Sequence, residues 1–304
     1  MSDALALAAG TARVELAPAA GGAIVRFTFG GADVLRPTPA AALAAGDVRG
    51  HACYPLIPYS NRIADARLAF GGRVHALCRN FGDHPHSLHG VGWQRRWNLV
   101  ARETSAALLA VEHAAPAGDT SAWPWPFRAT QAISLAADAE GATLTLKLTL
   151  TNTGGAPFPF GLGFHPFFPK TAASELGFSA AALWETDPTC LPTRRVPVAD
   201  ARCFDPAHAL GGIVLDNVYA GWDGTATLRD PVHRLLVTMT ADRAATFLVV
   251  FVPQDGDCLA VEPVTHMTDA FNRAVLGESG TGTRILGGGA AFSCTMRLFV
   301  RALP

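Results

Sequence analysis

A chain of 304 residues, 49% hydrophobic and 16% charged, can bury a large core and is unlike a disordered composition. Lys plus Arg number 24 and Asp plus Glu number 25, a balance with no electrostatic footprint for nucleic acid or an anionic membrane. The six cysteines, at 53, 78, 190, 203, 258 and 294, include no C-x-x-C pair and read as small reduced thiols rather than a zinc or redox site.

The chain opens on a short apolar stretch, Ala4-Leu5-Ala6-Leu7. Asp3 precedes it and no Lys or Arg comes before Arg13, so no secretory signal is expected. Ala40 to Ala45 and Ala270 to Leu276 are helical stretches of about two turns at most. Arg67 to Phe70 and Arg73 to Leu77 flank Gly71-Gly72, a hairpin signal. From Ala142 to Thr151, Leu alternates with Thr or Lys, the pattern of a half-buried antiparallel strand. Thr225 to Leu228, then Leu235, Val237 and Met239, then Phe247 to Val252 continue in strand character. Phe247 to Val252 is far shorter than the ~20 residues that span a bilayer. Phe292 to Val300 closes the chain with mixed alternation. Gly277 to Gly282 and Gly287 to Gly289 fit neither phosphate-binding glycine pattern and read as loops, so no nucleotide cofactor is expected.

Many strands, frequent Gly and Pro and scarce helical periodicity predict an all-β fold, a β-sandwich rather than an α/β sheet. No repeat or linker interrupts the sequence, which predicts a single domain over residues 1–304. The expected protein is soluble and cytoplasmic, a monomer or homodimer.

Four polar motifs stand out in this apolar background. Asn61-Arg62-Ile63 brings a guanidinium, with several fixed donors and a permanent charge; the bland alternative is an Arg paired with a surface carboxylate. Asp83-His84-Pro85-His86-Ser87-Leu88-His89-Gly90 is the densest titratable cluster. It fits three loop histidines, a ligand contact by His89, or a metal site, though Pro85 weakens the strand that would aim His84 and His86 together. His165 lies in Gly161-Leu162-Gly163-Phe164-His165-Pro166-Phe167-Phe168. It is either a satisfied core histidine or a proton carrier near pKa ~6.5 on an aromatic platform, with Gly161 and Gly163 admitting a close neighbour. Glu262 in Val261-Glu262-Pro263 is either a strand-end carboxylate facing water or a desolvated general base. Asp216, before Asn217, is weaker, since Asp-Asn is also turn chemistry.

Taken in order, these motifs resemble those of the aldose 1-epimerase (galactose mutarotase) family. Asn61-Arg62-Ile63 is similar to its N-R-I, Leu88-His89-Gly90 to its L-H-G, His165 to its second histidine, Glu262 to its late glutamate and Asp216 to its sugar-binding aspartate. The match runs from about residue 55 to 275, and its detail looks closest to an uncharacterised bacterial branch. The resemblance implies a large antiparallel sandwich, the galactose mutarotase-like supersandwich, with a sugar cleft on one concave face. It implies Glu262 as base and His165 as acid in opening and reclosing a sugar ring. Asn61, Arg62, His89 and Asp216 would bind the sugar, and neither metal nor cofactor is implied.

One departure bears on the substrate. A related branch acting on hexose 6-phosphates has an Arg soon after the H-G element; here Gly92-Trp93 stand there, with Arg95 and Arg96 just beyond. The expected substrate is therefore a free aldose such as galactose or glucose. A hexose 6-phosphate, a non-catalytic sugar-binding module and a metal enzyme built on His84, His86 and His89 are the rivals.

Overall fold

Along Ala142–Asn152 every second residue is buried, from Ala142 through Leu144, Leu146, Leu148 and Leu150 to Asn152, while Thr and Lys point away. A strand with one dry face requires this alternation. In the computed structural model, which describes residues 5–115 and 122–303, that strand pairs antiparallel with Phe127–Ala137 on one side and Ala291–Ala302 on the other. These three form the centre of a nine-stranded sheet.

The second sheet has eleven strands. Its middle runs through Cys53–Leu56, Gly163–Pro169, Cys258–Val264, Phe247–Val252 and Leu215–Ala220, all antiparallel to their neighbours. Side chains from both sheets join one hydrophobic core cluster that includes Leu7, Phe27, Leu144, Phe164, Leu248 and Leu298. The architecture is the expected all-β sandwich.

Phe247–Val252 is apolar throughout because both its faces are covered. Leu248, Val250 and Val252 pack in the core, and Val249 and Phe251 line a cavity on the opposite face. The Arg67–Phe70 and Arg73–Ala76 hairpin forms as expected, one residue short of Leu77. Ala40–Ala45 and Ala270–Val275 are the short helices, the second ending one residue before Leu276. The first stops at Gly46, whose left-handed φ of 63° lets its N–H reach the carbonyls of Ala42 and Leu43. The apolar N-terminal stretch enters the strand Leu5–Ala9, and its first residue, Ala4, lies with Met1 to Asp3 outside the described residues. Among the described residues no helix is long and apolar enough to cross a membrane.

Candidate active site

Strand register places the polar residues in one row. Tyr54 pairs with His165. The partners Gly163↔Val264 and Phe167↔Ala260 put His165 directly across from Glu262, and Glu262 pairs with Val249. Lateral partners in a sheet share a face, so Tyr54, His165, Glu262 and Val249 point the same way. Two residues along, Phe167, Ala260, Phe251 and Asp216 form a second row on that face. Most of these residues line a cavity of about 330 Å³, roofed by Arg36, Arg49, Asn61, Arg62, Phe81 and His89 from the connecting segments.

His165 Nε2 lies 3.2 Å from Glu262 Oε1, and both residues are buried, at 7% and 3% exposure. The imidazole packs against Tyr54 and Phe167, with ring centroids at 4.6 and 4.5 Å. Burial pushes the Glu262 carboxyl well above the usual carboxylate range, and nearby Asp216 adds to this against the opposing pull of Arg62. Burial also holds His165 well below the usual imidazole range, helped by His89 and Arg36. Both effects favour an uncharged pair that holds one proton between Oε1 and Nε2. The second oxygen, Oε2, is buried with no hydrogen-bond partner among the described residues.

The roof is built on two residues in left-handed backbone conformation, Asn61 (φ 55°) and His89 (φ 59°). Neither is glycine, so both conformations carry strain of the kind that collects at binding sites. They hold each other: the His89 N–H donates to the Asn61 carbonyl at 2.8 Å, and the Asn61 N–H donates to His89 Nδ1 at 3.1 Å. Because Nδ1 accepts, the ring proton sits on Nε2, a donor left for the cavity. Burial, with Arg62 and His84 nearby, lowers His89 to about 3, so the ring stays neutral. Arg62 is oriented by Asn61 Oδ1 at 3.0 Å and paired with Asp216 Oδ2 at 3.1 Å. Its carboxylate partner therefore lies inside the cavity rather than on an outer surface.

His266 supports this roof from behind. Its Nε2 accepts from the Ser60 N–H at 3.1 Å, and its Nδ1 donates to the Met267 carbonyl at 2.7 Å. The close neighbour that Gly161 admits is this ring: a Cβ at Gly161 would land on His266. Gly163 makes room for Val264 instead. Burial lowers His266 to about 4. The unfolded chain takes up this proton near pH 6.5 and the folded chain only near 4, so acidification through that window removes stability. Replacing His266 with Gln should flatten the fall in unfolding free energy between pH 6.5 and 4 by about 1.4 kcal/mol per pH unit, read from urea melts across that range.

All six residues singled out from the sequence, Asn61, Arg62, His89, His165, Asp216 and Glu262, line the same cavity. Glu262 lies within the strand Cys258–Val264, not at a water-facing end, and Asp216 lies on the strand Leu215–Ala220, not in a turn. The aromatic platform is narrower than the sequence suggests. Phe164 and Phe168 are in the core, and Phe167, Tyr54, Phe81 and Phe251 face the cavity. His84 and His86 precede the strand Ser87–Leu88 and are not in one themselves. Both nitrogens of His86 are engaged, accepting from the Asp65 N–H and meeting Thr189 Oγ1 at 3.0 Å. Arg95 reaches His113 Nδ1 at 3.0 Å, away from the cavity, and Arg96 is exposed. Sequence reasoning missed Arg36, Arg49 and Tyr54. Only the lateral pairing of Tyr54 with His165 could have flagged the last of these.

The sequence model of the aldose 1-epimerase family matches residues 3–289, nearly the whole chain. The protein belongs to the aldose 1-epimerase family. The Escherichia coli K12 protein YphB, itself uncharacterized, is 27% identical over 266 residues, covering 85% of this chain and 87% of the relative. Among solved structures, a candidate aldose 1-epimerase from Escherichia coli K12 superposes with a TM-score of 0.87 at 27% identity over 99% of both chains. A galactose mutarotase-like protein from Clostridium acetobutylicum gives 0.83 at 17% identity over 98% of this chain and 95% of its own, which speaks for the fold.

Proposed function

We propose that the protein interconverts the α and β anomers of an aldose by acid–base ring opening and reclosure. The observation that carries this reading is the buried His165–Glu262 contact, 3.2 Å between Nε2 and Oε1, beside a cavity of sugar size. In the reactive arrangement the proton sits on His165 Nε2 and Glu262 is a carboxylate. His165 gives its proton to the ring oxygen as Glu262 takes one from the anomeric hydroxyl, and the C1–O5 bond breaks to leave an aldehyde. The pair again holds one proton, now on Glu262. Rotation about C1–C2 presents the other carbonyl face, and the same transfers run backwards.

Arg62 and the His89 Nε2–H supply donors to the ring-oxygen region, where negative charge develops. Asn61 fixes Arg62, and Asp216 anchors hydroxyls away from C1. The reaction involves no net oxidation or reduction and no group transfer, so it needs neither cofactor nor metal. Residues 1–304 act as one domain, a reading supported by the single core cluster from Leu5 to Val300. A sugar-binding module without turnover would have no use for a buried shared proton.

Freshly dissolved α-galactose and α-glucose, followed by polarimetry with a chelator present, should equilibrate faster with the protein than in buffer. Rates equal to buffer across a broad panel of aldoses and aldose phosphates would sink the enzymatic reading.

A further inference from the structure

The end of the cavity beyond Phe167 is cationic, and its Arg36 and Arg49 have no part in the ring-opening steps. Arg36 lies over the Phe167 ring, its guanidinium carbon 3.9 Å from the centroid. Its Nη2 donates to the carbonyls of Arg49 at 3.0 Å and His51 at 2.8 Å, and its Nη1 meets Cys258 Sγ at 3.4 Å. These acceptors are neutral, and among the described residues no carboxylate pairs with Arg36. Arg49 lines the same end. Asp47 grips it through Nε at 2.8 Å and Nη2 at 2.9 Å, which leaves Nη1 free. Tyr54 completes the wall, and burial holds its hydroxyl well above the usual phenol range, so it remains a donor.

Counting charge selects the class of ligand. Arg62 is balanced by Asp216, the Glu262–His165 pair is neutral as a unit, and Arg49 is balanced by Asp47. Arg36 is left with one uncompensated positive charge in a cavity that Arg49 and Tyr54 also line. A carboxylate carries one negative charge and has the shape guanidinium donors match. A phosphate monoester carries about −1.5 to −2 at neutral pH and would bring its excess charge against Asp47. Phe167 stacks on His165 and carries Arg36 on its ring, so the cation lies one aromatic ring from the proton-sharing pair.

We propose that this end of the cavity is a carboxylate subsite and that the substrate is a hexuronate, an unphosphorylated aldose whose C6 is a carboxylate. This rests on the epimerase reading and names its substrate class. The test measures anomer exchange at equilibrium by exchange NMR, which needs no pure anomer. Its substrates are galacturonate, glucuronate, their methyl esters, the parent hexoses and glucose 6-phosphate.

The uronates should exceed both esters and hexoses in kcat/KM by about tenfold or more, mostly through KM, as expected for charge-assisted hydrogen bonds. Arg49→Gln, at an exposed position, should raise KM for the uronate about tenfold more than for the hexose. Arg36→Lys, which keeps charge but loses the guanidinium over Phe167, should raise it less than Arg36→Met. Equal kcat/KM for uronate, ester and hexose would overturn the subsite and leave the epimerase reading standing. A preference for glucose 6-phosphate over the uronates would overturn the carboxylate in favour of a dianion site. If no sugar is turned over, calorimetric titration decides separately: tighter binding of galacturonate than of galactose keeps the subsite without the enzyme, and equal binding removes both.

Discussion

Replacing Glu262 with Gln should lower kcat for anomer exchange by roughly 10²–10⁴, and His165→Asn should cost a similar factor, the usual contribution of a positioned acid or base. Both substitutions keep a polar side chain and remove the proton carrier. The double variant should lose far less than the product of the two factors, because the groups are in contact and act in one proton exchange. Sugar affinity should change little, since both act chiefly where charge moves in the transition state. The thermal midpoint of Glu262→Gln should hold or rise: the carboxyl is desolvated and its Oε2 has no partner, so a neutral amide relieves a cost of folding. Wild-type kcat in either folded single variant would remove that residue from the mechanism.

Gly161→Ala should be strongly disruptive although it lies outside the cavity. Its new methyl group collides with the His266 ring, which is closed in by the Met267 carbonyl and the Ser60 N–H. Overpacking and the orphaned Ser60 N–H together should cost about 2–4 kcal/mol, lowering the thermal midpoint by roughly 3–6 °C in a chain of this size. Activity should fall beyond what instability explains, because the Ser60–Arg62 segment loses its support. The cause can be isolated by adding His266→Ala, which removes the ring: the double variant should then be no less stable than His266→Ala alone. If Gly161→Ala costs as much without the ring as with it, the collision is not the cause.

The strands were legible where one face is dry and the other wet. Ala142–Asn152 could be read residue by residue because Leu meets the core and Thr meets water. Phe247–Val252 gave only a run, since Val249 and Phe251 look into a cavity instead of solvent. Asp216 is a weak signal in sequence, since Asp-Asn is also turn chemistry and residue type says nothing of the lateral partners that make it a strand residue. The cations were harder. Arg49 stands two residues from Asp47, which in sequence is an ordinary surface pair, and Arg36 shows no local pattern at all. Only the folded sheet brings Arg36 beside Cys258, 222 positions away. Gly161 was read correctly as making room, but the ring that fills the space lies more than a hundred residues further on.

Tyr54, His165 and Glu262 sit on hydrogen-bonded neighbours in the middle of an eleven-stranded sheet, whereas Arg36, Arg49, Phe81 and His89 come from the segments above it. The two groups are therefore separately evolvable. A one-residue slip of any central strand would turn a reacting group into the core, so the lower layer tolerates almost no insertion. The upper layer can lengthen, shorten or exchange cations while the sheet stays in register. Grafting the segments around Arg36, Arg49 and Phe81 between relatives should thus exchange the sugars they choose and leave the proton chemistry where it is.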